Sequence, residues 1–133
     1  MEKKLRSAKV IHFMKKQYES LVVWKEAHQL CQKIYKLLPQ YPADERFCLV
    51  QQMRRSATSV PINIVEGNVK RSRKEKLYYI EIAEGSLDEL DYQLLLSKDL
   101  GFISAKQCEE MRNSLNKLSY LLDKFRKGIQ AAP

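Results

Sequence analysis

Apolar residues recur every three or four positions along most of this chain, the spacing of one face of an α-helix. The pattern predicts four helices, over about residues 21–38, 43–66, 73–100 and 105–127. No β-hairpin signal competes with this interpretation. The chain is therefore predicted to be all-α.

Residues that cap or break helices give these segments their boundaries. Ser20 is a suitable N-cap for the first helix. Pro39 and Pro42 predict a turn after it, because the residue before a proline avoids the α region. Pro61 lies inside the second helix and lacks a backbone N–H, which predicts a kink or a short break there.

Two serines are predicted to start helices through capping boxes, in which a serine pairs with a glutamate or glutamine three residues later. The two pairs are Ser72 with Glu75 and Ser104 with Gln107. Glycines are expected to stop or fray helix ends. They are Gly67 after the second helix, Gly101 after the third and Gly128 near the end of the fourth.

Four amphipathic helices joined by short turns pack most simply as an antiparallel up-down-up-down four-helix bundle. We expect the bundle to span residues 17–128, between a flexible basic arm of residues 1–16 and a C-terminal tail of residues 129–133. The arm carries six basic residues and one acid. With 133 residues and 44% hydrophobic composition, the chain is long enough for one core.

The sequence favours a cytoplasmic protein without a membrane span. Its longest uncharged stretch is far below the roughly 20 apolar residues that a spanning helix needs. The N-terminal residues lack the apolar run and cleavage site of a secretory signal. Three cysteines without CxxC spacing, Cys31, Cys48 and Cys108, are expected to be reduced thiols that act as small core hydrophobes.

No motif predicts catalysis, a metal site or a cofactor. A di-metal bundle needs Glu-x-x-His pairs, but His12 and His28 each follow a lysine at that spacing. His28 and Cys31 lie one turn apart, although a zinc site needs three or four such ligands. Gly85 inside the third helix costs about 1 kcal/mol relative to alanine, and we expect a closely packed neighbouring helix to offset this.

Two polar residues near the end of the second helix are predicted to be structural. Asn63 and Glu66 flank apolar residues, where they would form a buried polar network or hold the following turn.

Positive charge concentrates at the predicted start of the third helix. The formal net charge of the chain is +8, and the basic cluster consists of Lys70, Arg71, Arg73, Lys74 and Lys76. Cations oppose the positive end of a helix dipole, so this placement predicts a compensating anion such as phosphate. Arg54 and Arg55, together with the N-terminal arm, would widen the surface if they face the same way. The alternative is a solvated turn.

An acidic stretch follows the basic cluster on the third helix: Glu81, Glu84, Asp88, Glu89 and Asp91. Two interpretations remain open from the sequence. The split of charge would join subunits head to tail, or the acids would pair with the second or fourth helix.

Several blocks of the sequence together resemble the four-helix-bundle family of 23S rRNA intervening-sequence proteins, over about residues 18–127. The most specific are Asn63-Ile64-x-Glu66-Gly67 and Gly85-Ser86-Leu87-x-Glu89-Leu90. The others contain Tyr18, Leu21, Trp24, Lys25 and Ala27, then Tyr41, Pro42, Glu45, Phe47, Leu49, Gln52, Met53, Arg54 and Arg55, and then Ser59, Ile82 and Ala83. Val65 departs from the family, which usually has alanine there.

That family is similar in fold to the accessory variability determinants of diversity-generating retroelements. Those proteins form pentameric barrels, bind nucleic acid and associate with the reverse transcriptase of the element. The resemblance thus implies a non-enzymatic homo-oligomer, with a pentamer favoured. The strong positive charge of this chain favours the retroelement role among those of the family.

Two functions follow as hypotheses. The first is an oligomeric accessory protein that binds RNA or DNA phosphates through Arg54, Arg55 and the basic cluster, and assists a reverse transcriptase. The second is a protein-interaction scaffold with no nucleic-acid role. An enzyme would require a deep polar pocket around Glu66 or His28.

Overall fold

The structure, a computed structural model, describes residues 16–133 and is entirely helical in its regular elements over that range. The four α-helices are α1 (Val22–Leu37), α2 (Leu49–Val69), α3 (Arg73–Asp99) and α4 (Ala105–Ala131). Short 3₁₀ turns cover Gln17–Ser20, Leu38–Gln40 and Ala43–Glu45. The prediction of an all-α four-helix fold is confirmed. Apart from Lys16, the predicted N-terminal arm lies outside the described residues.

The helices surround one apolar core. α1 packs against α2 and α4, and α3 packs against α2 and α4, with the most extensive packing between α2 and α3. The fully buried side chains come from all four helices and include Ile34, Met53, Ile64, Ile80, Leu90, Leu94, Leu118 and Leu122. The buried positions within the four helices therefore follow the three-and-four spacing of the sequence.

Contacts between α2 and α3 pair positions that run in opposite order along the two helices. The Ser97 hydroxyl lies 3.7 Å from the sulfur of Met53. The Ser86 hydroxyl donates to the hydroxyl of Ser59 at 2.7 Å. This is the order of antiparallel neighbours, and it brings the end of α2 to the start of α3.

The predicted start of the second helix was wrong by six residues, 49 against 43. Residues Ala43–Glu45 form a separate 3₁₀ turn, and the backbone of Cys48 has φ −118° and ψ −102°, outside the helical region. The Glu45 carboxylate accepts a hydrogen bond from the backbone N–H of Leu49 at 3.2 Å. Phe47, which falls inside the predicted range of this helix, precedes the observed helix and is 78% exposed.

The end of α2 also differs from expectation. The helix continues through Gly67 to Val69, so Gly67 is not its stop. No break occurs at Pro61, whose side chain is buried inside an uninterrupted helix. Apolar burial of the proline ring offsets part of the lost backbone hydrogen bond.

The caps at the start of α4 and at the end of α3 agree with the prediction. The Ser104 hydroxyl accepts from the Gln107 N–H at 3.0 Å while the Gln107 side chain accepts from the Ser104 N–H at 2.9 Å, a complete capping box. Gly101 has φ +79°, and the Phe102 N–H reaches the carbonyl of Ser97, which closes α3 in a Schellman motif.

Three of the predicted ends need correction. Ser20 belongs to the first 3₁₀ turn, and Leu21 is the N-cap of α1 without a side-chain bond. At α3, Ser72 caps the Glu75 N–H, but its hydroxyl donates to the Glu75 carboxylate, so the reciprocal half of the box is absent. α4 runs through Gly128 to Ala131, which removes most of the predicted tail.

The cysteines differ in their surroundings. Cys108 is buried in the core, Cys31 is half-buried and Cys48 is exposed beside the start of α2. Burial raises the pKa of the Cys31 thiol. The expectation of a core thiol was therefore wrong for Cys48.

The glycine at a tight helix contact is Gly67, whereas the sequence had suggested Gly85. A Cβ atom on Gly67 would lie 3.2 Å from the Lys76 carbonyl oxygen and 3.3 Å from the Tyr79 Cβ. A Cβ on Gly85 would meet no atom within 4 Å. The close approach of α3 to α2 thus depends on Gly67.

Alanine substitutions at the two glycines should have different effects on stability. Gly85→Ala removes backbone freedom without a clash, so its free energy of unfolding should rise by about 1 kcal/mol. Gly67→Ala gains the same helix propensity, but its Cβ would push α3 away from α2. We therefore expect this variant to be less stable than Gly85→Ala by about 1 kcal/mol or more. Urea unfolding measures both, and equal stabilisation of the two variants would contradict the tight contact.

Candidate nucleic-acid interface

The basic cluster occupies the short connection from α2 to α3 and the first turn of α3. Two of its five residues are held by α2 itself. The Lys76 ammonium donates to the Asn68 carbonyl at 3.1 Å and lies 3.5 Å from that of Gly67. Lys70 lies 3.9 Å from the Glu66 carboxylate and 5.2 Å from the centre of the Tyr79 ring. Both cations therefore already have partners.

These contacts explain why the cluster is compatible with the start of α3. The last carbonyls of α2 carry the negative end of its dipole, and a cation placed there is stabilised. The same position lies next to the positive end of α3. The repulsion predicted from the sequence is thus offset within the α2–α3 hairpin, at least for Lys76.

The remaining members of the cluster are the available cations. Arg71, Arg73 and Lys74 are exposed. Within residues 16–133, none of the three takes part in an ion pair. Arg71 and Arg73 line a cavity at this end of the bundle, and Lys74 does not.

The cavity, which we call the end cavity, has a volume of about 640 Å³ and lies between the end of α2, the start of α3 and the end of α4. Four cationic side chains line it: Arg71, Arg73, Lys76 and Lys124. Phe125 and Ile129 of α4 add an apolar surface. Both are half-buried and also pack against the core.

Lys124 and Phe125 were not identified as site residues from the sequence. Phe125 continues the apolar three-and-four spacing of α4, which is typical of a core residue, and Lys124 is one of many exposed lysines. The ammonium of Lys124 lies 4.9 Å from the centre of the Tyr120 ring, and its interaction with Tyr120 raises the pKa of Lys124. Both residues are identified as part of the cavity only because the last turns of α4 pack at this end of the bundle.

Arg54 and Arg55 do not join this surface. Arg54 precedes Gly67 by 13 residues, a rise of about 20 Å along a helix. Its guanidinium lies 5.8 Å from the centre of the Tyr35 ring on α1. The two arginines are exposed on another part of the bundle, so the predicted single patch is divided.

The acidic stretch of α3 forms ion pairs with α4. Arg112 donates two hydrogen bonds to the Asp91 carboxylate, at 2.8 and 3.0 Å. Arg126 lies 3.3 Å from the Glu84 carboxylate. These contacts match the ordinary pairing interpretation for Glu84 and Asp91, while Glu81 and Asp88 are exposed.

The two polar residues on α2 have different roles. The Asn63 side-chain amide donates to the Ser59 carbonyl at 2.8 Å and to its hydroxyl at 3.0 Å. Since Ser86 also bonds to the Ser59 hydroxyl, Asn63 belongs to a polar link between α2 and α3. Glu66 is exposed and contacts Lys70, so it lies outside that link.

Neither residue proposed for a rival enzymatic site lies in a polar pocket. His28 stacks on the Trp24 ring, with ring centres 4.9 Å apart, and Glu66 is at the surface. Over residues 16–133, no three His, Cys, Asp or Glu side chains group as they would around a metal ion. No helix in the described part of the chain is both long and apolar enough to cross a membrane.

Comparisons with known proteins agree with the helical architecture. A family model described as 23S rRNA-intervening sequence protein matches residues 19–124. Among solved structures, the chain is similar to a protein of unknown function from the S23 ribosomal protein family of Bacteroides thetaiotaomicron. The two have 26% sequence identity and a TM-score of 0.74, over 80% of this chain and 99% of the other. No curated protein matches the chain.

Glu84 should make the stability of the protein depend on pH. Burial raises the pKa of Glu84, Arg126 opposes the shift, and Asp123 and Glu81 add to it. A carboxyl with a raised folded-state pKa stabilises the fold most when protonated, and this contribution is lost as pH rises through that pKa. The free energy of unfolding of the wild type, relative to Glu84→Gln, should therefore fall from about pH 4 to about pH 7. A relative stability that increases over this range would show that the Arg126 pair dominates.

Proposed function

The chain belongs to the family of 23S rRNA-intervening sequence proteins, and we propose that it is a non-enzymatic, oligomeric accessory protein that binds nucleic acid through phosphates. The contacts would come from the basic end of the bundle. Because the family is similar to retroelement accessory proteins, the process that this chain would assist is reverse transcription. RNA and DNA share the phosphate chemistry on which the proposal rests.

One observation carries the proposal: Arg71 and Arg73 lie exposed beside the end cavity without an ion pair among the described residues. Arginine binds phosphate through two parallel N–H donors, so free guanidinium groups are well suited to a phosphate backbone. Lys124 adds a third charge from α4. Lys70 and Lys76 contribute to the local field, while their ammonium groups are already engaged by α2.

The oligomeric part of the proposal is supported by an apolar face on α2 and α3. Ile62 and Val69 of α2, and Tyr78 and Tyr92 of α3, are each more than half exposed. Ile62 and Val69 are seven residues apart and Tyr78 and Tyr92 are fourteen apart, which places the members of each pair on one side of their helix. Exposed apolar residues arranged in this way mark protein contact surfaces. We expect copies of the chain to associate through this face, with the pentamer implied by the family resemblance.

A scaffold that docks another protein, such as a reverse transcriptase, is the second candidate function. The same apolar face favours it, because a heterologous partner would bury those residues equally well. The scaffold requires no nucleic-acid contact, and it therefore predicts that the arginines beside the cavity can be reversed without an effect on RNA affinity.

Reversing the two free arginines should weaken nucleic-acid binding and its dependence on salt. For the double variant Arg71→Glu and Arg73→Glu, log affinity plotted against log salt should lose about 1.4 units of slope on single-stranded RNA, because each lost contact removes about 0.7. Fluorescence anisotropy at several salt concentrations gives the slope.

The matched control is Lys36→Glu with Lys106→Glu, which changes the net charge by the same amount. Both lysines are exposed, and they lie near the end of α1 and the start of α4, away from the end cavity. The control should keep most of the wild-type slope. Equal losses in the two proteins would mean that net charge alone attracts RNA, and no loss in the arginine variant would favour the scaffold.

Light scattering should show that the protein is an oligomer and that a short RNA adds mass to it. Burial of the apolar face supplies the driving force for association, and the free arginines supply the contact with RNA. Multi-angle scattering with and without the RNA reports both masses. A monomer whose mass is unchanged by RNA would contradict the proposed function as a whole.

A further inference from the structure

The end cavity combines cations with an apolar recess, and this combination is more than a phosphate contact requires. Arg71 and Arg73 stand on the α3 side, and Lys124 stands on the α4 side. Between them, Phe125 and Ile129 line the wall formed by α4. A surface that only attracted phosphates would need the charges without the recess.

The size of the cavity indicates an occupant larger than a single phosphate. A volume of about 640 Å³ lies within the range of about 300 to 1,000 Å³ found for small-molecule sites. A nucleotide offers the required composition, since it has a flat apolar base and an anionic phosphate. Bases stack on aromatic side chains, and their phosphates pair with arginine.

A double helix does not fit this arrangement. Within a duplex the bases are stacked and paired, so only their edges are exposed in the grooves and their faces are not free to stack on a protein side chain. Placing a base in a recess requires that base to leave the stack, which costs a few kcal/mol and is least costly in a single strand. The apolar part of the end cavity therefore favours an unpaired strand.

The basic N-terminal segment of the chain is not a complementary occupant. Residues 1–16 contain six basic residues and one acid, and the end cavity is lined by four cationic side chains and no acidic one. Like charges would oppose their association. The charge of the cavity matches an external polyanion.

We propose that the end cavity is a seat for one unpaired base of a single-stranded nucleic acid, with the base against Phe125 and the adjoining phosphates on Arg71 and Arg73. The inference rests on the proposed function and narrows its substrate class to single strands. Binding at this seat places the strand across α3 and α4, and the salt-dependent contacts continue along the exposed arginines.

The proposal predicts a preference for bases as well as for phosphates. Three fluorescent probes of equal length separate the two: a single-stranded RNA, an abasic strand with the same backbone charge, and a blunt RNA duplex. The wild-type protein should bind the RNA strand about 5-fold or more tighter than the abasic strand, which is the lower limit for one base stacked on an aromatic side chain. The RNA strand should also bind tighter than the duplex.

A substitution at the aromatic ring tests its position in the seat. Phe125→Leu keeps an apolar side chain and should lose most of the preference for the RNA strand over the abasic strand, while its salt slope stays close to that of the wild type. Phe47→Leu is the matched control, because Phe47 is exposed and lies before α2, outside the lining of the end cavity. The control should retain the full preference.

The outcomes distinguish the inference from the function on which it rests. Equal affinity of the wild type for all three probes would overturn the base seat and leave phosphate binding intact. A preference that survives unchanged in a folded Phe125→Leu protein would also overturn it. Absence of binding to any probe at low salt would overturn the proposed function itself.

Discussion

The close contact between the last turns of α2 and the first turn of α3 determines where the basic residues stand. Gly67 has no side chain, so the Lys76 carbonyl of α3 can lie against α2 where any Cβ would crowd it. The same approach lets the Lys76 ammonium reach the carbonyls of α2. Arg71 and Arg73 are then left at the rim of the end cavity. A larger residue at position 67 would change the packing and the charged surface together.

Helix ends explain why these cations do not all behave alike. A basic residue in the connection between two antiparallel helices lies near the negative end of one dipole and the positive end of the next. Lys76 and Lys70 contact groups of α2, so their charge is partly neutralised within the fold. Arg71, Arg73 and Lys74 have no such partner among the described residues. The net charge of the chain therefore overstates the number of cations that are available to a ligand.

The sequence predicted the helices and their buried faces better than it predicted their beginnings and contacts. The apolar periodicity identified the core because a buried helix face requires apolar residues at that spacing. The caps at Ser104 and Gly101 could be predicted because each depends only on residues close in sequence. The start of α2 depends on a non-helical backbone conformation at Cys48, which no residue pattern in the sequence predicts. Which glycine touches a neighbour, and which residue of α4 completes the cavity, depend on how distant helices meet. Lys124 and Phe125 could thus be recognised only in three dimensions.

The end cavity is formed by three helices, so ligand binding there depends on how these helices pack together. Its walls belong to the α2–α3 hairpin on one side and to the last turns of α4 on the other. A strand bound between them contacts both only while α4 remains docked on the hairpin. Any ligand that prefers the folded state stabilises it by mass action. A ligand bound in the cavity should therefore hold α4 against the α2–α3 hairpin and suppress local unfolding of the last turns of α4.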